Sequence, residues 1–219
     1  MAKLLIFDWD GTLCDSLERI ALCMQLAADD VGLVPPTRDA VKEIVGLGLY
    51  EAFAELYPDE GNESCEMLRE AYSRHFVEQD HKPSPFFAGV EEVLLELRGK
   101  GYLLAVATGK SRRGLNRVLQ NRAMTEFFHG SRCADETMSK PHPMMLHQLL
   151  DEFTLQAHEA VMIGDTEFDM AMAESAEMPR IAVSYGAHHV ERLRQYNPFC
   201  CANDFYQVGE AILSINETR

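Results

Sequence analysis

Short apolar runs alternate with amphipathic segments along most of this chain. Four runs have the length and composition of buried strands: Leu4–Phe7, Tyr102–Ala107, Ala160–Ile163 and Ile181–Val183. Apolar residues at helical spacing predict helices over Val90–Arg98, Arg113–Gln120, Pro143–Phe153 and Glu167–Ala176. Strands that alternate with helices form a parallel sheet covered on both faces. The pattern therefore predicts an α/β fold with a doubly wound parallel sheet.

The segment from Ser16 to His81 departs from this alternation. Its apolar side chains recur at helical spacing, and none of its runs is typical of a strand. The turn-forming sequence Lys82-Pro83-Ser84-Pro85 marks the return of the chain to the main pattern. We therefore predict a core domain over residues 1–15 and 82–219, and a small all-helical domain over 16–81 inserted after the first strand.

The charge and hydropathy of the chain limit the classes of partner that it is expected to bind. The chain has 35 acidic and 20 basic residues, a net charge of -15, and no basic run that would follow a phosphate backbone, which argues against a nucleic-acid partner. No apolar stretch approaches the ~20 residues that cross a bilayer. The start of the chain reaches Asp8 too early for a signal peptide. We expect a soluble, cytoplasmic protein without a membrane partner.

The cysteines and the charges of the helical segment add two expectations. The six cysteines have neither zinc-site nor disulfide-framework spacing, which fits a reducing compartment. The helical segment holds 14 acidic and 5 basic residues, a balance of -9. These charges are expected to be mostly a solvated surface, with a weaker expectation that they repel a polyanionic substrate.

Two carboxylates one residue apart follow the first predicted strand, in Asp8-Trp9-Asp10-Gly11-Thr12-Leu13. The carboxyl ends of strands are where open α/β sheets bind ligands. Because successive strand side chains alternate, both carboxylates face one pocket only if the chain bends after Asp8, and Gly11 has the freedom for that bend. An ordinary Asp-Gly turn is the alternative explanation of Asp10-Gly11 taken singly.

Three further segments place polar residues near the ends of predicted elements. Thr108-Gly109-Lys110 follows the second strand, Lys140-Pro141 precedes a helix, and Asp165 and Asp169 surround a helix start. Singly, these are explained as a turn, a proline at the first helical position and helix caps. Together with the first two carboxylates they would crowd four like charges at one edge, which is costly without a cation. All-oxygen ligation predicts Mg²⁺.

In this order, the segments resemble the four motifs of the haloacid dehalogenase superfamily, in its phosphatase branch. Phosphoglycolate phosphatase-like members are the most similar, because Asp8–Ser16 contains Asp-x-Asp-Gly-Thr-Leu-x-Asp-Ser and Lys140–Pro143 contains Lys-Pro-x-Pro. The resemblance covers essentially the whole chain and implies that 16–81 is the family's helical C1 cap. Two positions depart from the pattern: Trp9 is bulkier than the usual residue between the aspartates, and Gly109 stands where Asn is frequent.

The resemblance implies hydrolysis of a small phosphomonoester, either phosphoglycolate-like or a sugar phosphate. Asp8 would attack phosphorus and form an aspartyl phosphate, while Asp10 serves first as the acid and then as the base. Thr108, the backbone N–H of Gly109 and Lys140 would hold the phosphoryl oxygens. Such a site suits phosphoryl transfer, which asks mainly for positioning and charge neutralisation.

The resemblance also implies the metal ligands. Mg²⁺ would be bound by Asp8, Asp165 and the backbone carbonyl of Asp10, with Asp169 ordering the metal shell or Lys140. Two alternatives stay open: a sugar-phosphate mutase of the same superfamily, which also keeps the second aspartate, and a non-catalytic protein that binds a phosphorylated ligand. The expected partner is a small phosphorylated metabolite, and the sequence indicates no oligomeric state.

Overall fold

A parallel sheet forms the centre of the molecule in a computed structural model that describes residues 2–79 and 83–217. In chain order its strands are β1 (Leu4–Phe7), β2 (Leu103–Thr108), β3 (Gly130–Cys133), β4 (Ala160–Gly164), β5 (Arg180–Val183) and β6 (Cys201–Ala202). In space they form a 6-stranded sheet in the order β3-β2-β1-β4-β5-β6, with every pairing parallel. This confirms the predicted α/β class.

Helices account for most of the rest of the described chain. Those between β1 and β2 are α1 (Leu17–Val31), α2 (Arg38–Ile44), α3 (Leu49–Leu56), α4 (Asn62–Glu78) and α5 (Val90–Gly99). Those after β2 are α6 (Arg112–Asn121), α7 (Met144–Phe153), α8 (Glu167–Ser175), α9 (Val190–Arg194) and α10 (Phe205–Glu217), with a short 3-10 helix at Ala157–Glu159.

The central strand β1 is apolar on both faces because helices cover both. Leu5 and Phe7 lie in the apolar cluster that α5, α6 and α10 complete, whereas Leu4 and Ile6 lie in the cluster completed by α7 and α8. A strand buried on both sides has consecutive rather than alternating apolar residues. That burial explains why the run Leu4–Phe7 is visible in the sequence.

The helices α1 to α4, here called the insert, pack around an apolar cluster of their own that contains Met24, Phe53 and Leu68. The two connections between insert and sheet run side by side: the Asp15 N–H donates to the Pro85 carbonyl, 2.9 Å, and the Phe87 N–H donates to the Leu13 carbonyl, 3.1 Å. The predicted boundary between residues 81 and 82 lies outside the described residues. The division into two domains stays a prediction.

The strands that the apolar pattern did not indicate are both at the sheet edges. β3 has the sequence Gly-Ser-Arg-Cys, and three of its four residues are partly exposed. β6 comprises two residues, Cys201 and Ala202. An edge strand pairs on one side only, so it needs less apolar side chain than the sheet centre.

Candidate active site

Asp8 is the first residue after β1, at the carboxyl edge of the sheet. Its N–H donates to the Ile163 carbonyl of β4 at 2.9 Å, and its side chain is buried. The chain then turns through Gly11, whose φ is 86°. A Cβ at that position would lie 2.2 Å from Oδ2 of Asp165. Gly11 therefore supplies the predicted bend and also lets the turn approach the neighbouring carboxylate.

Asp165 and Asp169 reach the same edge from the end of β4 and the first turn of α8. Oδ1 of Asp165 accepts from the Thr12 hydroxyl and Oδ2 from the Ala187 N–H, both at 2.7 Å. Oδ2 of Asp169 accepts from the Thr166 N–H and hydroxyl in a capping box. The helix-cap explanation is thus correct for one oxygen of Asp169, while its other oxygen faces the site.

Lys140 lies between two of these carboxylates. Its Nζ donates to Oδ1 of Asp8 at 2.5 Å and to Oδ1 of Asp169 at 2.6 Å, and the side chain is fully buried. Burial by itself lowers the pKa of Lys140, but the charges of Asp169 and Asp8 outweigh burial and raise it above its ordinary value. Lys140 therefore carries its positive charge throughout the physiological pH range.

Thr108 ends β2 beside β1, and its side chain is buried. Its hydroxyl accepts from the Lys110 N–H at 3.2 Å. The predicted phosphate-binding residues Thr108 and Gly109 thus begin a tight turn at the same edge of the sheet as Asp8. Thr108 to Ser111 connect β2 to α6.

Asp10 lies at the same edge but turns its side chain to different partners. Its Oδ1 accepts from the Ser16 hydroxyl at 2.5 Å, and its Oδ2 is 2.8 Å from Nζ of Lys110. Lys110 also lies 4.8 Å from the ring centre of Phe76, on α4. The Asp10 carboxylate is therefore held between the insert connection and the β2 turn.

Three carboxylates form the group with metal-ligand spacing in the described part of the chain. Atoms of Asp8, Asp165 and Asp169 lie within 4.8 Å of one another. Burial, only partly offset by Lys140, raises the pKa of Asp8 well above its ordinary value. Burial and then the charge of Asp169 raise the pKa of Asp165 to about 7. One buried lysine is too little positive charge for three carboxylates.

A divalent cation fits this group of residues. Oδ2 of Asp8 is buried and has no hydrogen-bond partner, so a buried acceptor is left unused at the centre of the cluster. Carboxylate oxygens are the ligands that Mg²⁺ prefers, and a bound cation would relieve the repulsion that raises these pKa values. The Asp10 side chain is not in the cluster, and its predicted ligand atom is the backbone carbonyl.

The insert covers the site through the turn Gly46-Leu47-Gly48. The Gly48 N–H donates to the Ser139 hydroxyl at 2.8 Å, next to Lys140. A Cβ on Gly109 would lie 2.3 Å from the Leu47 carbonyl oxygen and 2.7 Å from that of Gly46. With the insert in this position no side chain fits at residue 109. Close approach of the insert is therefore a physical reason for glycine where the resemblance leads one to expect Asn.

The other departure, Trp9, has a different explanation. Its side chain is fully buried and packs edge-on against the rings of Phe86 and Phe128, with centroids 5.7 and 6.1 Å away. It belongs to the apolar cluster on one face of the sheet. The extra bulk of Trp9 therefore serves core packing.

A cavity lies between the insert and the sheet edge, and Asp8 and Asp10 line it. Its volume is about 710 Å³, a figure that includes the space open to solvent. The insert lines it with mainly apolar side chains, among them Ile20, Met24 and Tyr72. Acidic residues of the insert are absent from the described lining, so the expected repulsion of a polyanion is not built into the cavity wall.

Some site residues were not assigned a role from the sequence. Thr12 and the Ala187 N–H fix Asp165, while Ser16 and Lys110 fix Asp10. Thr12 and Ser16 belong to the quoted motif, and Lys110 directly follows Gly109, so proximity to motif residues was an available signal. Nothing local in the sequence indicates Ala187.

The family suggested by this geometry is also the one whose sequences are similar to this chain. Haloacid dehalogenase-like hydrolases match over residues 5–183. The chain belongs to this family and is a phosphatase of the hydrolase class.

Individual relatives are similar to this chain over almost its whole length. The phosphoglycolate phosphatase of Vibrio cholerae is 29% identical, with 96% of this chain and 97% of that protein covered. The Dickeya dadantii protein named "Probable phosphatase IndB" is 33% identical, with 100% of this chain and 98% of that protein covered.

Solved structures share the fold. A crystal structure from Haemophilus somnus, described as a predicted phosphoglycolate phosphatase, has a TM-score of 0.84 at 25% identity and covers 94% of this chain and 96% of its own. One from Clostridium acetobutylicum, described as a predicted phosphatase, has a TM-score of 0.88 at 24% identity, with 98% and 99% covered. In the described part of this chain, helices are too short or too polar to cross a membrane.

Proposed function

We propose that this protein is a Mg²⁺-dependent phosphatase that hydrolyses a small phosphomonoester through an aspartyl phosphate on Asp8. One observation carries the proposal: a buried carboxylate at the sheet edge is held at one oxygen by Lys140, while its other oxygen has no partner. A carboxylate with one oxygen anchored and one available is suited to nucleophilic attack on phosphorus. Membership of the phosphatase family supports the same assignment.

In the first half-reaction, Asp8 forms a bond to phosphorus as the bond to the leaving alkoxide breaks. Lys140, the Thr108 hydroxyl and the backbone N–H of Gly109 hold the phosphoryl oxygens in this proposal. The carboxylic acid form of Asp10 gives its proton to the leaving oxygen. Ser16 and Lys110 keep the Asp10 side chain in one position, since each contacts a different oxygen of that side chain.

In the second half-reaction, the Asp10 carboxylate takes a proton from a water molecule that attacks phosphorus. The phosphorus–oxygen bond to Asp8 breaks, inorganic phosphate leaves, and both aspartates return to their starting forms. A divalent cation, when bound, neutralises charge on the phosphoryl group and on Asp8. Asp8, Asp165 and the Asp10 carbonyl would hold it.

Asp169 is proposed to position Lys140 rather than to bind the cation. Its Oδ1 is 2.6 Å from Nζ of Lys140, and its Oδ2 already accepts from the Thr166 N–H and hydroxyl. Asp8, by contrast, has an oxygen without a partner. The ion pair between Oδ1 of Asp169 and Nζ of Lys140 supports the second of the two roles that the sequence left open, the positioning of the lysine.

The insert, residues 16–81 by sequence, is proposed to be a cap that closes over the site and selects the substrate. The contacts of Gly46 to Gly48 with Gly109 and Ser139 support this role. Closure would keep bulk water away from the reacting group. The proposed substrate is phosphoglycolate-like or a sugar phosphate.

The test is hydrolysis of a panel of small phosphomonoesters by the purified protein with Mg²⁺, with Asp8→Asn as the matched control. Release of phosphate by the wild type only, without any bisphosphate activator, supports the phosphatase. Isomerisation of a sugar phosphate that needs such an activator would identify a mutase. Tight binding of a phosphorylated ligand with no turnover of any compound would identify a binding protein.

A further inference from the structure

Arg117, a basic residue in the wall of the cavity, has no function in the mechanism proposed above. Among the described residues that line the cavity, two side chains are basic, Lys110 and Arg117. Lys110 is paired with Asp10. Nη1 of Arg117 is buried and has no hydrogen-bond partner. A buried guanidinium N–H without a protein acceptor is costly, so an acceptor supplied by a bound ligand would stabilise it.

The backbone of Arg117 lies farther along α6 than the turn at the edge of the sheet. It lies on α6, whose N-cap Ser111 follows the turn at Thr108 and Gly109. Ser111, Gly114 and Arg117 are spaced three residues apart and all line the cavity. With a rise of ~1.5 Å per residue, the backbone of Arg117 is ~9 Å farther along the helix than that of Ser111.

The wall that the insert places opposite α6 is apolar. It includes Ile20 and Met24 from α1, Leu49 from α3 and Phe76 from α4. The polar side chains that the insert adds are those of Tyr72 and Ser73, and its described lining holds no charged side chain. Such a wall offers little to the hydroxyl groups of a sugar but favours a hydrocarbon or aromatic body.

We infer that the preferred substrate is a phosphomonoester with an apolar body and a second anionic group, most simply a carboxylate, that pairs with Arg117. This inference rests on the proposed phosphatase function and specifies its substrate class. A guanidinium binds a carboxylate with two parallel N–H donors, which gives orientation as well as affinity. Arg117 is thus assigned to the part of the substrate other than its phosphoryl group, as a specificity residue.

The experiment compares two substrates of the same shape, 4-carboxybenzyl phosphate and 4-carbamoylbenzyl phosphate. They differ by one charge, and the CH₂ group insulates the leaving oxygen from the difference. The full chain with Mg²⁺ is expected to show a kcat/KM at least ~10-fold higher for the carboxylate than for the amide. The reason is that the amide leaves Arg117 without a charged partner. The carboxylate is also expected to exceed phosphoglycolate, which lacks the apolar body.

Two variants assign the preference to Arg117. Arg117→Met keeps an unbranched chain about as long as the aliphatic part of arginine and removes the guanidinium, so the ratio of the two kcat/KM values should fall to about one. Arg117→Lys should keep part of the ratio. Arg113→Met, at an exposed position on the same helix, should keep the wild-type ratio. Thermal unfolding of each variant checks that the protein is folded.

The outcomes separate this inference from the proposed function. Equal hydrolysis of the two benzyl phosphates by the wild type, an unchanged ratio in Arg117→Met, or a preference for phosphoglycolate overturns the inference while leaving the phosphatase in place. Failure to release phosphate from these esters, from p-nitrophenyl phosphate or from any other phosphomonoester tested overturns the proposed function itself.

Discussion

Replacement of Gly109 by alanine tests whether the observed contact between insert and sheet edge is the catalytic position of the insert. The new Cβ would lie 2.3 Å from the Leu47 carbonyl oxygen, so reaching an ordinary contact of 3.4 Å requires a shift of 1.1 Å. Gly109 is not among the glycines with positive φ, so alanine fits its backbone. The substitution also keeps the backbone N–H that is proposed to hold a phosphoryl oxygen.

The expected effect follows from the cost of overpacking. Extra atoms in a tightly packed site cost ~1–3 kcal/mol, which at ~1.4 kcal/mol per tenfold corresponds to a ~5- to 150-fold smaller population of the closed form. We therefore expect kcat/KM for a phosphomonoester to fall by about this factor. The midpoint of thermal unfolding should change little, because the apolar clusters of the sheet and of the insert are not touched.

Steady-state kinetics and hydrogen exchange measure this prediction together. Faster exchange in the turn Gly46-Leu47-Gly48 of Gly109→Ala would show that the insert has moved away. Gly99→Ala, where a new Cβ meets nothing within 4 Å, is the control and should match the wild type in both measurements. Wild-type kinetics in Gly109→Ala would refute the reasoning, because the insert could then not occupy this position during turnover.

Four further predictions concern the carboxylate cluster, the lysine paired with it and the neighbouring Asp10. Since the pKa of Asp165 is raised to about 7 and a cation needs the ionised form, the increase in melting temperature caused by Mg²⁺ should be larger at pH 8 than at pH 6. Asp165→Asn should lose both the Mg²⁺-dependent increase in melting temperature and the activity. At pH 8 it should unfold at the same temperature as the metal-free wild type or at a higher one. Wild-type activity that persists in excess chelator would contradict the requirement for a metal. Asp10→Ala with p-nitrophenyl phosphate should give a burst of at most one product per site and retain label on Asp8, because this leaving group needs little protonation; label on another residue, or turnover by Asp8→Asn, would refute the nucleophile assignment. Lys140→Ala should lower the free energy of unfolding by ~3–5 kcal/mol in metal-free protein, since it leaves buried carboxylates unpaired; denaturant unfolding measures the loss, and an unchanged midpoint would contradict it.

Local patterns in the sequence were sufficient for the centre of the sheet and for the residues at its edge. Leu4–Phe7 is buried on both faces, so its burial leaves a continuous apolar run. Asp8 and Thr108 follow directly after such runs, and Asp165 follows its run after one glycine. The carboxyl ends of parallel strands meet at one edge of the sheet. Their proximity is therefore a consequence of strand order along the chain.

What the local pattern could not determine depends on contacts between distant segments. The edge strand β3 is stabilised by pairing with β2 rather than by an apolar run of its own. The contact of Leu47 with Gly109, and the cavity that Arg117 lines, arise only when the insert packs over the sheet edge. The periodicity of apolar residues indicates which side chains of a helix or strand are buried. The shape and charge of the cavity depend instead on how the insert packs against the sheet edge.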